Sequence, residues 1–138
     1  MATQKNAVLN AVSFQAGGTI GQFEPVKLTT ASGANKVVVV PTASTDRVVG
    51  VAQIDATSGQ AVSVTPISAG AIVKMRVGSG GVTAGDLVGL DGTDYTEIAT
   101  LTLSGSGTTL RQVLGEALQT GVSNDYVEVL LRDPVVTI

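Results

Sequence analysis

The sequence predicts an all-β fold with an extended N-terminal arm. Three observations lead there. Hydrophobic residues make up 43% of the chain but aromatic residues only 3%, strand patterns alternate with Gly, Pro, Ser and Asp turns, and one hairpin pattern occurs twice. A chain of 138 residues has the size of a single domain, which buries about 68% of its unfolded surface. We therefore expect an arm at 1–22 and a single β domain at 23–138.

The repeated hairpin is the clearest element. Residues 48–52 lead to a returning strand at 62–64, and residues 113–117 lead to one at 127–129. In both copies, the same number of residues separates the glycine of the outgoing strand from the first Val of the returning strand. Alternating apolar positions place these side chains on one face, and Ser, Gly, Asn and Asp supply the turns. One hairpin design is therefore expected at two places.

Shorter strand patterns fill most of the remaining chain, at 26–29, 36–40, 71–77, 82–90 and 94–99. The 71–77 stretch alternates most cleanly, which predicts one solvated and one buried face. Its solvated face holds Ile72, Lys74 and Arg76, and its buried face holds Ala71, Val73, Met75 and Val77.

Turn residues separate these strands. The pair Asp91-Gly92 predicts a tight hairpin turn into the 94–99 strand. The Thr, Ser and Gly tract at 101–109 predicts an exposed loop. Five residues are expected in the core on their pattern alone: Phe23, Leu28, Val73, Met75 and Leu87.

The first 22 residues are mostly polar, with isolated apolar residues and a glycine-rich run at 16–21. Such a segment has too little apolar content to form a core by itself. We interpret it as an arm that is loose alone or ordered by a neighbouring molecule. A frayed terminus explains the same composition.

Charge and composition exclude several classes of protein. The formal net charge is −3 and the eight basic residues are dispersed, so no basic face for nucleic acid is expected. No apolar stretch has the length of a membrane helix, and the N-terminus lacks a signal-peptide pattern, so we expect synthesis in a cytoplasm and no membrane partner.

Catalytic and cofactor motifs are missing as well. The chain has neither His nor Cys, which removes the usual base for an activated hydroxyl and every thiolate site. The glycine run at 78–81 is not followed by the Lys-Ser or Lys-Thr pair of a phosphate loop. Asp91 and Asp94 lack the remaining ligands of a calcium loop. We expect a protein that is not an enzyme and that needs no cofactor or metal.

The chain resembles the head-decoration, or capsid cement, proteins of tailed phages. Their sequences contain, in order, a Pro-Val-Lys-Leu strand, a Gly-Val-Ala-x-x-x-Ala stretch, a Val-x-x-Gly-x-x-Val stretch and a closing Gly-x-Ala hairpin. The matching stretches here lie at 25–28, 49–56, 84–88 and 115–118. This chain departs from the lambda-type decoration protein because its arm is rich in neither His nor Pro.

The resemblance implies a small β-barrel or β-tulip/sandwich domain. It also implies a homotrimer on the outer surface of the virion capsid, where it stabilises the expanded shell. It also implies an arm that reaches onto the major capsid protein. The low charge of the chain, 14%, agrees with this role, because the centres of protein interfaces are depleted in charged residues. The apolar residues of the arm are the candidate capsid contacts: Ala7, Val8, Leu9, Phe14 and Ile20.

An alternative function is a small-ligand or glycan-binding β domain on a virion or cell surface. Such sites combine a concave pocket with aromatic side chains. The sequence offers only four aromatic residues for this purpose: Phe14, Phe23, Tyr95 and Tyr126.

Overall fold

The computed structural model describes residues 11–29, 33, 35–67, 70–102, 109–132 and 135–137. These residues form twelve β-strands and no α-helix, which confirms the all-β prediction. The strands are β1 (Val12–Ala16), β2 (Pro25–Leu28), β3 (Val37–Val39), β4 (Gly50–Ala52), β5 (Ala61–Pro66), β6 (Ile72–Arg76), β7 (Leu87–Leu90), β8 (Ile98–Thr100), β9 (Leu110–Gln112), β10 (Gly115–Ala117), β11 (Tyr126–Leu131) and β12 (Val135–Thr137).

The first five strands close into a barrel with the order β1-β3-β2-β4-β5. Strand β1 closes it, pairing antiparallel with β5 on one side and parallel with β3 on the other, where Gln15 faces Val37. Closure gives each strand two neighbours, so the barrel has no unpaired edge. The expectation of a small barrel is confirmed.

A second sheet contains five strands in the order β6-β11-β10-β7-β8. Just after β6 ends, Val77 forms a parallel bridge with Ile98 of β8. This bridge brings the two outer strands of the sheet together at one end. A separate two-stranded sheet pairs β9 with β12.

The second sheet repeats the first in both topology and detail. Strands β6, β7, β8, β10 and β11 have the same neighbours and relative directions as β1, β2, β3, β4 and β5. An antiparallel bridge between Ile20 and Ala56 in the first half has its counterpart between Val82 and Gly121 in the second. The chain therefore contains one barrel design twice, of which the hairpin repeat seen in the sequence is a part.

Both predicted hairpins are confirmed with matching registers. Ala52 pairs with Val64 in the first hairpin, and Ala117 pairs with Val129 in the second. The two faces of β6 are also as expected, since Val73 and Met75 are buried and Lys74 is exposed.

Two clusters of buried side chains form the core. The first fills the closed barrel with residues that include Ile20, Val26 and Val64. The second fills the other sheet, and it also includes three residues from the first half: Val48, Val51 and Ile67. The two sheets therefore pack against each other through a shared apolar core.

Some details differ from the sequence-based expectations. Leu28, the last residue of β2, is 49% exposed, and Phe23 and Leu87 are only half-buried. The turn after β7 is not a tight one. Leu90 pairs with Ile98, and the loop between them is held by the buried carboxylate of Asp91, which accepts hydrogen bonds from the following residues.

Candidate functional site

The predicted capsid-contact residues fall into three groups. Ala7, Val8 and Leu9 lie outside the described residues, so their role stays a prediction. Phe14 lies in β1, half-buried, with its ring packed against the barrel core and Lys36 Nζ at 5.5 Å from the ring centroid. Ile20 is 1% exposed and belongs to the core, so its side chain cannot contact a capsid protein.

The C-terminal part of the predicted arm is therefore part of the barrel. Val12–Ala16 forms β1, and removing it would open the barrel between β3 and β5. Because the residues on its outer face are polar, the composition of this segment is that of an arm and does not indicate a strand. The available signal was the alternation of Val12, Phe14 and Ala16 with Ser13 and Gln15, a period of two.

A surface cleft of about 340 Å³ lies where the turn at 21–24 meets β6 and β11, and we call it the inter-sheet cleft. Besides that turn, Asp55, Arg76 and Tyr126 line it. Hydrogen bonds hold the turn in place. The backbone N–H of Gly21 donates to Glu24 Oε1 at 2.7 Å, and that of Gln22 donates to Asp55 Oδ1 at 2.6 Å.

Two aromatic rings meet at this cleft. Phe23 and Tyr126 lie edge to face, with ring centroids 5.7 Å apart and an interplanar angle of 67°. The backbone of Phe23 has φ +69°, a left-handed conformation that is uncommon for a bulky residue. Its counterpart in the second half is Gly85, with φ +95°, for which this conformation carries no steric cost.

Acidic neighbours fix the Arg76 guanidinium. Its Nε lies 3.2 Å from Glu97 Oε2, its Nη2 donates to Thr96 Oγ1 at 3.0 Å, and Asp94 Oδ2 lies 3.6 Å away. Burial raises the pKa of the Glu97 carboxyl, with Arg76 acting in the opposite direction. The hydroxyl and backbone N–H of Thr96 hold the pKa of Asp94 below its ordinary value.

Each of the three charged side chains at the cleft keeps an atom free for a ligand. Within the described residues, Glu24 Oε2, Asp55 Oδ2 and Arg76 Nη1 have no protein hydrogen-bond partner. The lining of the cleft therefore combines two carboxylates and one guanidinium with an aromatic ring.

The described part of the chain contains no group of three or more His, Cys, Asp or Glu side chains placed to hold a metal ion. Within the same residues, no helix has the length and apolar character needed to cross a membrane.

Several large apolar side chains are exposed outside the cleft. They occur in both halves of the chain, and three of them are more than half exposed. The exposed set comprises Leu28, Ile54, Ile72, Leu110, Leu118 and Val122.

Comparison with solved structures gives a similar fold. The chain matches the crystal structure of the N base of the head fiber gp8.5 in bacteriophage phi29, with a TM-score of 0.61 and 16% sequence identity. The match covers 88% of this chain and 92% of that chain. No protein-family model matches the sequence, and no curated protein does. At this level of identity the similarity establishes a shared fold.

Proposed function

We propose that this chain is a structural protein of a phage head, bound to the outer surface of the shell. The observation that carries the proposal is the shared fold with a head fiber base, which extends over nearly the whole of both chains. Because one fold serves many functions, the surface of the molecule has to support the same conclusion.

The surface supports a role in contacts between proteins. Ile72, Leu110 and Val122 are 57%, 62% and 67% exposed, although only 14% of the residues are charged. The centres of protein interfaces are depleted in charged residues, so a surface poor in charge suits contacts with other proteins. Shell subunits and further copies of this chain are the partners that this surface suits.

The finer proposal is that of a cement protein. It acts without enzymatic activity, as a homotrimer, and stabilises the expanded shell. The segment before β1, with Ala7, Val8 and Leu9, contacts the major capsid protein. Each trimer then bridges several shell subunits, and many modest contacts add up through their high effective concentration.

The test of the contact is sedimentation with empty expanded heads that lack this protein. Full-length protein should sediment with the heads, and protein lacking residues 2–10 should not. The deletion has to stop before β1, because loss of Val12–Ala16 would open the barrel. Circular dichroism would verify that the truncated protein is folded, and undiminished sedimentation would contradict the role of the segment.

The trimer is tested separately by imaging decorated heads. Threefold density on the outer face of the shell is the expected result, and density of another symmetry would contradict the trimer. Heating heads with and without bound protein then measures the stabilisation, which should appear as a higher temperature of DNA release or shell rupture.

A further inference from the structure

We propose that the inter-sheet cleft binds a saccharide that is neutral or carries an amino group. This binding function is additional to attachment at the head. The cleft volume of about 340 Å³ lies at the lower end of the range for small-molecule sites, and its lining combines one exposed ring with a few polar groups. A saccharide has the same combination, since hydroxyl groups surround an apolar C–H face.

The polar atoms of the cleft are positioned before any ligand arrives. Asp55 and Glu24 each use one carboxylate oxygen to accept a backbone N–H, which fixes the direction of the other oxygen. Arg76 is fixed by Glu97 and Thr96 and keeps Nη1 for a ligand. Fixed ionised acceptors and donors form stronger hydrogen bonds with hydroxyl groups than neutral ones do, and little ordering entropy is lost on binding.

The aromatic part of the cleft is equally well held. Tyr126 is 52% exposed, and its edge-to-face contact with Phe23 restricts its ring. An exposed, restrained ring presents an apolar surface against which the C–H face of a sugar can pack. The phenol hydroxyl at its rim adds a further donor and acceptor.

The duplication shows that four of these side chains are not required by the barrel, whereas Glu24 has a counterpart in Asp86, which accepts the equivalent backbone N–H. Arg76 and Tyr126 form a cross-strand pair, and the equivalent pair in the first half is Gln15 and Ala61. In the first half, Asp55 accepts a backbone N–H of the turn. In the second half, the hydroxyl of Thr120 accepts the equivalent N–H. The counterparts of Phe23, Asp55, Arg76 and Tyr126 are Gly85, Thr120, Gln15 and Ala61. Phe23 and Asp55 in the first half, and Arg76 and Tyr126 in the second, therefore stand where the other half folds with a glycine, a threonine, a glutamine and an alanine.

The charge of the cleft selects the class of saccharide. Glu24 and Asp55 are acidic, while the positive charge of Arg76 is already shared with Glu97 and Asp94. A carboxylated or sulfated sugar would face uncompensated negative charge. Neutral hydroxyl groups and amino groups suit the two free carboxylate oxygens.

The test uses the full-length protein on a glycan array that displays neutral, amino and acidic saccharides. The expected result is binding to neutral or amino sugars. Tyr126→Ala and Asp55→Asn should each weaken that binding by about tenfold, since a ring contact or a charged hydrogen bond is worth on the order of 1 to 1.5 kcal/mol. Val122→Ala is the matched control, because Val122 is an exposed side chain beside the same hairpin but outside the cleft.

Amide chemical shifts measured during titration with the best array sugar would locate the site. Shifts at the 21–24 turn and at Arg76 are expected, and Tyr126→Ala should require about tenfold more sugar to reach them, while the spectrum without sugar shows that the fold is unchanged. Absence of any array binding, equal binding by Tyr126→Ala, or preferential binding of acidic sugars would each overturn the proposal. Head sedimentation of Tyr126→Ala should be normal, which separates this site from attachment to the head.

Discussion

Two glycines occupy equivalent positions where a neighbouring strand comes too close for any side chain. Gly50 begins β4, and a Cβ there would lie 2.5 Å from the carbonyl oxygen of Thr65. Gly115 begins β10, and its Cβ would lie against the carbonyl oxygen of Leu130. Because these neighbours are backbone atoms in paired strands, they cannot rotate away. The repeated glycine in the sequence is therefore a requirement of strand packing.

We predict that Gly50→Ala and Gly115→Ala each lower the free energy of unfolding by about 1 to 3 kcal/mol, the range for overpacking a dense core. Urea denaturation would measure the loss. Gly92→Ala is the matched control, since a Cβ there would meet nothing within 4 Å. Losses no larger than that of the control would contradict the packing argument.

The left-handed turn residues show where a sequence signal is strong and where it is weak. Gly59 and Asn124 hold the same place in the two hairpin turns, with φ +88° and +71°. Gly and Asn are the residues expected there, so both turns could be predicted. Phe23 holds the same place as Gly85, and nothing in its side chain predicts that conformation. Its backbone is determined by the tertiary contacts of the 21–24 turn.

At the scale of the element, prediction succeeded where strands are contiguous and locally paired. The hairpins β4–β5 and β10–β11 carry apolar alternation and turn residues within one stretch of sequence. Strand β1 was missed, because it pairs with β3 and β5, which lie far along the chain. Its polar residues resemble those of a terminal arm until these partners are known.

Strand β9 joins the two halves through one side chain. Gln112 accepts the backbone N–H of Val48 at 2.6 Å and donates to the backbone C=O of Val48 at 2.9 Å. The side chain thus pairs with the backbone of the first half as a neighbouring strand would. Gln112 is 8% exposed, so water cannot readily replace these bonds.

Gln112→Ala should lower the free energy of unfolding by about 2 to 4 kcal/mol, because it leaves a buried N–H and a buried C=O of Val48 unpaired. Gln119→Ala is the matched control. Gln119 is exposed and accepts one backbone N–H, from Glu128. Guanidinium denaturation of both variants would make the comparison, and equal losses would show that the Val48 contacts contribute little.

At the scale of the whole molecule, the core of the second half depends on side chains from the first. Val48, Val51 and Ile67 come from the first half but pack in the core of the second sheet. This shared packing favours a single cooperative unit, since the core of the second sheet includes side chains from the first half. The arrangement also explains why the single-domain interpretation and the internal repeat are compatible.

Carboxylates in turns of both halves connect the stability of the molecule to pH. The pKa of Asp86 is lowered by the backbone N–H of Thr83 and then by the Thr100 hydroxyl. Burial tends to raise the pKa of Asp91, but hydrogen bonds from Thr93 and the following backbone outweigh it, so that pKa is lowered too. Asp46 and Asp94 also have lowered pKa values.

Groups with a depressed pKa stabilise the fold above their unfolded pKa, here 3.8, and lose this contribution as they become protonated. We therefore predict that the free energy of unfolding falls as the pH is lowered below about 4. Glu97 has a raised pKa, so its ionisation lowers the free energy of unfolding as the pH rises. Urea denaturation across this range would test the prediction. Asp91→Asn should reduce the acid dependence, and an unchanged slope would contradict the role of Asp91.

By itself, the sequence determined the all-β class, the two hairpins and the faces of β6. Strand alternation and turn residues are local signals, and each of these features is local. Tertiary structure alone decided that Val12–Ala16 closes a barrel and that Ile20 is buried. It alone also brought Phe23, Asp55, Arg76 and Tyr126 to one cleft. These features depend on contacts between distant parts of the chain, which no pattern within a single stretch of sequence encodes.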